Sequence, residues 1–91
     1  MTKVLITAPI DQTGIDILSQ VAQVDQRIGI SNSELGSIIH DYDALMIRSG
    51  TQVTGDIINS SRKLRIIGRA GVGVDNVDVK AATQKGVLVV N

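Results

Sequence analysis

The feature that most constrains the fold of this chain is an alternation of short apolar runs with segments of helical periodicity. The five runs are VLIT (4–7), QVDQR (23–27), ALMIR (44–48), LRIIG (64–68) and VLVV (87–90). Short apolar runs bounded by turn residues are typical of buried strands. The second run is polar on one side, which favours the edge of a sheet. The fifth run, composed of valine and leucine alone, predicts a buried strand.

The intervals between the runs carry helix signals. Four residues are predicted to cap the starts of helices: Asp11, Ser31 (with Glu34 at capping-box spacing), Thr54 and Asp78. The apolar stripes that follow are Ile15–Leu18–Ala22, Leu35–Ile38–Ile39 and Ile57–Ile58. Gly86 is predicted to end the last helix, VKAATQK. The resulting pattern, βαβαβαβαβ, predicts an α/β fold.

Strands separated by helices form parallel sheets that are covered on both faces. With right-handed crossovers, the prediction is an open five-stranded parallel sheet in the order 2-1-3-4-5, with helices on both faces. A chain of 91 residues is enough for one domain, and its composition, 43% hydrophobic and 20% charged, is that of a globular protein.

The charge balance and the missing cysteines exclude several classes of function. Nine basic residues balance nine acidic ones, so we expect no nucleic-acid or membrane partner. Without cysteine there can be no disulfide, thiolate metal site or cysteine nucleophile. The opening MTKVLITAPI lacks the long apolar region of a signal peptide, and no stretch approaches the roughly 18 apolar residues of a membrane span. A cytoplasmic location is therefore predicted.

A glycine-rich segment, RAGVGVDNVD (69–78), follows the fourth predicted strand. It begins like the dinucleotide fingerprint G-x-G-x-x-G, but the third glycine would stand at position 76, which is Asn76. The segment therefore fails as a fingerprint. Glycines at 71 and 73 still allow successive N–H groups to converge on an anion. A tight connection without a ligand is the alternative.

Ligands of open parallel sheets bind beyond the carboxyl ends of the strands. Three loops are predicted there: Ala8-Pro9, Arg48-Ser49-Gly50 and residues 69–74. Arg48 offers a fork-shaped cation for carboxylate or phosphate, and Ser49 offers a hydroxyl. Together with the glycine turn, they predict a receptor for a small anionic molecule.

Each candidate residue also has a purely structural interpretation. Arg48 could be solvated or paired within the fold, and Arg69 could form a salt bridge with Asp75 or with the acids of a following helix. Asp75 and Asp78 are most simply a turn residue and a helix cap. His40 stands alone and is interpreted as a helix-end residue. The sequence contains no acid–base pair that can be assigned to catalysis, and no metal site is predicted.

The segments ALMIRSGTQVTGDII (44–58) and LRIIGRAGVGVDNVDVKAATQKGVLVVN (64–91) resemble the N-terminal region of the D-2-hydroxyacid dehydrogenases. The resemblance implies that residues 1–91 are a segment of a flavodoxin-like substrate-binding domain. It places the nucleotide-binding domain and the catalytic Arg, Glu and His outside this chain. The isolated segment is therefore expected to be inactive, although the full-length protein would be an NAD-dependent dehydrogenase.

The resemblance also assigns roles to particular residues. Gly71, Val72 and Gly73 would bind the carboxylate of a small 2-hydroxy or 2-oxo acid, with Arg48 and Ser49 facing the same cleft. Val72 would also lie beside the nicotinamide of NAD. The full-length protein would be a homo-oligomer.

Two other classes of function stay open. A stand-alone flavodoxin-like ligand-binding or regulatory module would keep the glycine turn without chemistry. A receiver module would need an acidic pair after the first strand and an aspartate after the third, where Ala8-Pro9 and Arg48-Ser49 stand instead.

Overall fold

A computed structural model describes residues 2–70 and 76–91 of the chain. The strands are β1 (Lys3–Ile6), β2 (Gln23–Gln26), β3 (Ala44–Ile47), β4 (Ile66–Arg69) and β5 (Leu88–Val90). The helices are α1 (Gln12–Ser19), α2 (Asn32–Ile38), α3 (Gly55–Ser60) and α4 (Val79–Lys85), and a 3-10 turn, Ile39–Asp41, follows α2. The elements follow the predicted order, and the strand boundaries differ from the predicted runs by one or two residues at an end.

The strands form one parallel sheet in the order β2-β1-β3-β4-β5, which confirms the predicted topology. The register of β1 is illustrated by Val4, which pairs with Val24 of β2 on one side and with Ala44 of β3 on the other. The polar strand β2 is at an edge, as predicted. Parallel pairing brings the carboxyl ends of all five strands to the same side of the molecule.

All four predicted caps are confirmed. The capping bonds run from Thr13 N to Asp11 Oδ1 (3.1 Å), from Glu34 N to Ser31 Oγ (3.1 Å), from Ile57 N to Thr54 Oγ1 (3.3 Å) and from Ala81 N to Asp78 Oδ1 (2.9 Å). Gly86 ends α4 with φ of 78°, the left-handed conformation that glycine adopts without steric cost. The apolar stripe predicted for α1 was too long. The helix ends at Ser19, and Ala22, which is buried, lies in the turn that follows the helix.

Helices cover both faces of the sheet, as predicted, but unequally. The buried apolar residues form two clusters, one on each face of the sheet. On one face, which we call the closed face, the cluster packs α2, α3 and α4 against the sheet. Its buried residues are Leu5, Leu35, Ile39, Tyr42, Leu45, Ile47, Val53, Ile57, Ile58, Leu64, Ile67, Val77, Ala82 and Val87. The second, which we call the open face, packs α1 against the sheet with the buried residues Val4, Ile6, Ile15 and Ala22.

The predicted burial of the fifth strand was wrong. Leu88 is 59% exposed and Val90 is 40% exposed, whereas Val89 between them packs against the closed-face cluster. Side chains alternate between the two faces of a strand. Helix α4 covers the face of β5 that carries Val89. The other face, which carries Leu88 and Val90, is left uncovered because α1 packs on β1, and β3 and β4 lie between β1 and β5. Within residues 2–70 and 76–91, no helix is long and apolar enough to cross a lipid bilayer.

Candidate functional site

A cleft of about 450 Å³ lies where β1, β2 and β3 end. The lining residues are Thr7, Ala8, Pro9, Ile28, Gly29, Ile30, Arg48, Ser49, Gly50 and Thr51. Two of the three predicted loops therefore meet in one cavity. The loop after β2 is a third wall that the sequence interpretation missed. The predicted strand order could have indicated it, because β2 neighbours β1 and its carboxyl end must lie beside Ala8.

Arg48 and Ser49 are the first residues after β3, and both are exposed. Arg48 is the only ionisable residue among those that line the cleft in the described part of the chain. Among residues 2–70 and 76–91, no carboxylate forms an ion pair with its guanidinium. The structural pairing considered for Arg48 is thus not found there. An exposed guanidinium at the end of a strand can form charge-assisted hydrogen bonds to a carboxylate or phosphate.

Below the cleft, two buried threonines connect β1 to the loop after β3. The Thr7 and Thr51 hydroxyl oxygens are 2.8 Å apart and hydrogen-bond to each other. Thr7 is also fixed through its backbone, where its N–H donates to the carbonyl of Met46 at 3.1 Å. Buried hydroxyls need a partner, and here each is the partner of the other. Each of these two lining hydroxyls therefore has a hydrogen-bond partner within the protein.

A second polar connection comes from Asn76, which the sequence interpretation treated only as the missing third glycine. Its side-chain Nδ2 donates to the backbone carbonyl of Arg48 at 2.9 Å and to that of Thr51 at 2.6 Å. The backbone carbonyl of Asn76 accepts from Val53 N at 2.8 Å. Asn76 is 7% exposed, so these bonds are shielded from water. The loop between Arg48 and Thr51 is held by a buried amide from a distant part of the chain.

The carboxyl end of β4 adjoins this loop. Ala70 N donates to the carbonyl of Ile47 at 2.9 Å, directly before Arg48 in the chain. Gly71, Val72 and Gly73 lie outside the described residues, as does Asp75, the acid considered as a partner of Arg69. The anion-binding arrangement of the glycines and the contact of Val72 with a cofactor stay predictions.

Two structural interpretations are confirmed away from the cleft. Asp78 is the N-cap of α4, and its carboxylate accepts from Ala81 N at 2.9 Å. His40 lies exposed in the 3-10 turn, where its Nε2 is 3.4 Å from Asp41 Oδ1. The residues that the structure describes contain no group of three or more side chains able to hold a metal ion.

Tyr42, the only aromatic residue, lies at the opposite end of β3 from Arg48. Its hydroxyl donates to Asp25 Oδ2 at 2.6 Å. Burial, followed by the hydrogen bond to Asp25, raises the pKa of Tyr42 from 10.0 to about 12. Both effects favour the neutral phenol. Tyr42 is thus a structural donor, and its position separates it from the cleft.

Comparisons with known proteins point to one family. Residues 4–91 match the family model described as "D-isomer specific 2-hydroxyacid dehydrogenase, catalytic domain". A D-3-phosphoglycerate dehydrogenase of Synechocystis sp. is 59% identical over 91 residues, which are 100% of this chain and 16% of that relative. The chain thus spans about a sixth of the relative's length.

Solved structures show the same fold. A protein of Pyrococcus horikoshii matches with a TM-score of 0.95 and 25% identity, over 98% of this chain and 27% of its own. An NAD+-bound 3-phosphoglycerate dehydrogenase of Entamoeba histolytica matches with a TM-score of 0.82 and 26% identity, over 97% of this chain and 32% of its own.

Proposed function

Because the chain belongs to the D-isomer specific 2-hydroxyacid dehydrogenase family, we propose that residues 1–91 form the substrate-binding segment of an NAD-dependent oxidoreductase. The substrate is a small anionic 2-hydroxy acid, which the whole enzyme converts into the corresponding 2-oxo acid. The observation that carries the proposal is Arg48, an exposed cation without an ion-pair partner among the described residues, at the mouth of a cleft beyond the strand ends.

The roles within the segment follow from the chemistry of anion binding. Arg48 donates charge-assisted hydrogen bonds to the substrate, and Ser49 adds a hydroxyl donor. The backbone amides of Gly71, Val72 and Gly73 hold the substrate carboxylate, and Val72 adjoins the nicotinamide. These groups orient the acid so that its C2 carbon meets the nicotinamide. They bind and orient, and none of them moves a proton.

We infer that the phosphates of NAD bind elsewhere than at the glycine-rich segment. The position of the third fingerprint glycine is occupied by Asn76, whose side chain is committed to two carbonyls of the β3 loop. We therefore assign the nucleotide-binding domain, with its fingerprint and the catalytic acid–base residues, to a part of the protein outside residues 1–91. NAD bound there supplies the hydride acceptor.

The proposed substrate is D-3-phosphoglycerate, oxidised to 3-phosphohydroxypyruvate in serine biosynthesis. Support comes from the Synechocystis relative and the Entamoeba histolytica structure, which both carry that activity in their names. A homo-oligomeric whole enzyme in the cytoplasm is part of this proposal. The second candidate is a dehydrogenase for another D-2-hydroxy acid, which the cleft would serve equally because a single cation does not specify a phosphate. The stand-alone binding module is the remaining alternative.

A chimeric enzyme tests the proposal. Residues 1–91 of this chain replace the matching segment of the Synechocystis relative, and NAD reduction is measured with D-3-phosphoglycerate, D-lactate and D-glycerate. We expect activity, with the highest kcat/KM for D-3-phosphoglycerate. The isolated 91-residue chain should reduce no NAD. A folded chimera that is inactive with all three acids would refute the function, and a preference for one of the other two acids would select the second candidate.

Arg48 is tested in the same chimera. Loss of a charge-assisted hydrogen bond costs about 1.5–3 kcal/mol, so Arg48→Gln should raise the substrate KM about 10- to 100-fold. Arg48→Lys keeps the charge but loses the fork-shaped pair of donors, so its KM should lie between those of the unmodified chimera and Arg48→Gln. Arg62→Gln is the matched control, because Arg62 is exposed and follows α3, at the opposite end of the sheet. Equal substrate KM values for Arg48→Gln and Arg62→Gln would show that Arg48 does not bind the substrate.

A further inference from the structure

We propose that Asn76 is a positioning residue for substrate binding, which sets the direction of the peptide groups beside Arg48. This inference rests on the proposed function, since it assumes that the loop after β3 holds the substrate. Asn76 does not line the cleft itself. It acts through the two carbonyls that it holds, those of Arg48 and Thr51.

The two carbonyls beside Asn76 require two hydrogen-bond donors at this position. Both bonds come from the same side-chain nitrogen, at 2.9 Å to the Arg48 carbonyl and 2.6 Å to the Thr51 carbonyl. An amide nitrogen carries two protons, so one asparagine satisfies both acceptors. Aspartate has the same shape but offers no donor when ionised, and serine offers only one. The base of the loop is therefore bridged by the Asn76 amide, in addition to a longer turn bond in which Thr51 N donates to the Arg48 carbonyl at 3.4 Å.

The bond from Asn76 also fixes the direction of the peptide plane between Arg48 and Ser49. In a trans peptide, the carbonyl and the following N–H point in opposite directions, and the described residues contain no cis peptide. Since the Arg48 carbonyl points at Asn76, the Ser49 N–H must point away from Asn76. Within the described part of the chain, no backbone carbonyl accepts from that N–H. Asn76 thereby directs a backbone donor, next to the Arg48 side chain, out of the protein interior.

The backbone of Asn76 is itself hydrogen-bonded, whereas its side-chain Oδ1 is buried without a partner among the described residues. Its backbone carbonyl accepts from Val53 N at 2.8 Å, and Asp78 N donates to the Val53 carbonyl at 2.9 Å. Val53 and Val77 form a parallel bridge between these two stretches. One buried residue thus connects the bridge between Val53 and Val77 to the loop that carries Arg48 and Ser49.

The kinetic test uses the chimera described above with Asn76→Asp and Asn76→Ala. Both variants remove the two Asn76 bonds and leave only the longer turn bond from Thr51 N to the Arg48 carbonyl. The KM for D-3-phosphoglycerate should therefore rise about tenfold, which corresponds to about 1.4 kcal/mol. The KM for NAD and kcat should change by less than about twofold. A residue that only stabilises the fold would lower the amount of active enzyme, hence the apparent kcat, and leave the substrate KM unchanged. That second pattern would overturn the proposal.

Ser61→Ala is the matched control. Ser61 is also buried, and its hydroxyl donates to a backbone carbonyl, that of Ile58, at 2.5 Å. It follows α3, at the opposite end of the sheet from the cleft. We expect this variant to lose stability without a change in the substrate KM. An equal rise in KM for Ser61→Ala and Asn76→Ala would show that any loss of a buried bond has this effect, and would refute a specific role of Asn76.

A measurement on the unmodified 91-residue chain decides the matter if the variants do not fold. The side-chain NH2 protons of Asn76 should exchange with solvent more slowly than those of the exposed Asn32 and Asn59, because both are hydrogen-bonded. Addition of 3-phosphoglycerate should shift the NMR signals of these protons and of Ser49 N–H together. Exchange as fast as in the controls, or a Ser49 shift without an Asn76 shift, would overturn the proposal.

The two failures are distinguishable. An unmodified chimera without activity would refute the proposed function, whatever Asn76 does. An active chimera whose substrate KM is unchanged by both Asn76 variants would refute only the positioning role.

Discussion

The closed and open faces of the sheet differ sharply in how completely they are packed. Among the described residues, the closed face has fourteen buried core residues beneath α2, α3 and α4, whereas the open face has four beneath α1. On the open face, β5 presents Leu88 and Val90 to solvent. The difference indicates that the stability of this chain comes mainly from the closed face. The carboxyl-end loops are attached to that same core through Val53 and Val77.

The largest expected effect separates the two faces directly. Leu45 is fully buried in the closed face, so Leu45→Ala should lower the free energy of unfolding by about 2–5 kcal/mol. Leu88→Ala makes the same chemical change at a side chain that is 59% exposed, and should cost less than about 1 kcal/mol. Urea unfolding monitored by circular dichroism measures both. Equal losses would contradict the assignment of stability to the closed face.

A smaller effect should appear at high pH, because Tyr42 belongs to the closed face. Its folded pKa of about 12 exceeds the ordinary value of 10.0, so the folded state holds the phenolic proton more tightly than the unfolded state. The resulting stabilisation is full below pH 10 and is lost as pH rises towards 12. Unfolding of the chain should therefore become easier across that window, and Tyr42→Phe should flatten this part of the profile. An unchanged slope in the variant would show that Tyr42 is not the responsible group.

The smallest predicted effect uses glycines to compare the packing of helices on the two faces. A Cβ added at Gly14, inside α1, would meet no atom within 4 Å. Gly14→Ala should therefore stabilise the chain by about 0.5–1 kcal/mol through helix propensity. At Gly55, the first residue of α3, a Cβ would lie 3.2 Å from Asp78 Oδ2 and 3.6 Å from Ala81 Cβ. Gly55→Ala should give no such gain, and equal shifts in thermal midpoint would contradict the difference in packing.

The elements and their order were predictable because their signals are local. Caps such as Ser31 and Thr54 and the βα alternation depend on residues a few positions apart. The exposure of Leu88 and Val90 was not predictable, because the apolarity of a run does not tell which neighbours cover each face. The predicted apolar stripe of α1 wrongly included Ala22 for a related reason. A buried residue that follows a helix can stand at helical spacing from the last apolar residue of that helix.

The candidate site was predictable only in part. Arg48 and Ser49 could be placed at the cleft because parallel strands bring their carboxyl ends together. Asn76 was missed because its two side-chain partners lie 28 and 25 residues earlier in the chain, and no local pattern records such contacts. The loop after β2 was missed because its composition, with isoleucines on either side of Gly29, carries no anion-binding signal.

The most direct test of the central claim is an NMR titration of the 91-residue chain with 3-phosphoglycerate, followed through its backbone amides. The account predicts weak binding, on the order of millimolar. The shifts should cluster at residues 48–50 and 71–73, and Gly73→Val should abolish them if residue 73 requires positive φ. Shifts confined to the opposite end of the sheet, around Arg62 and Arg65, or a full response in Gly73→Val, would contradict the claim that these loops form the substrate site.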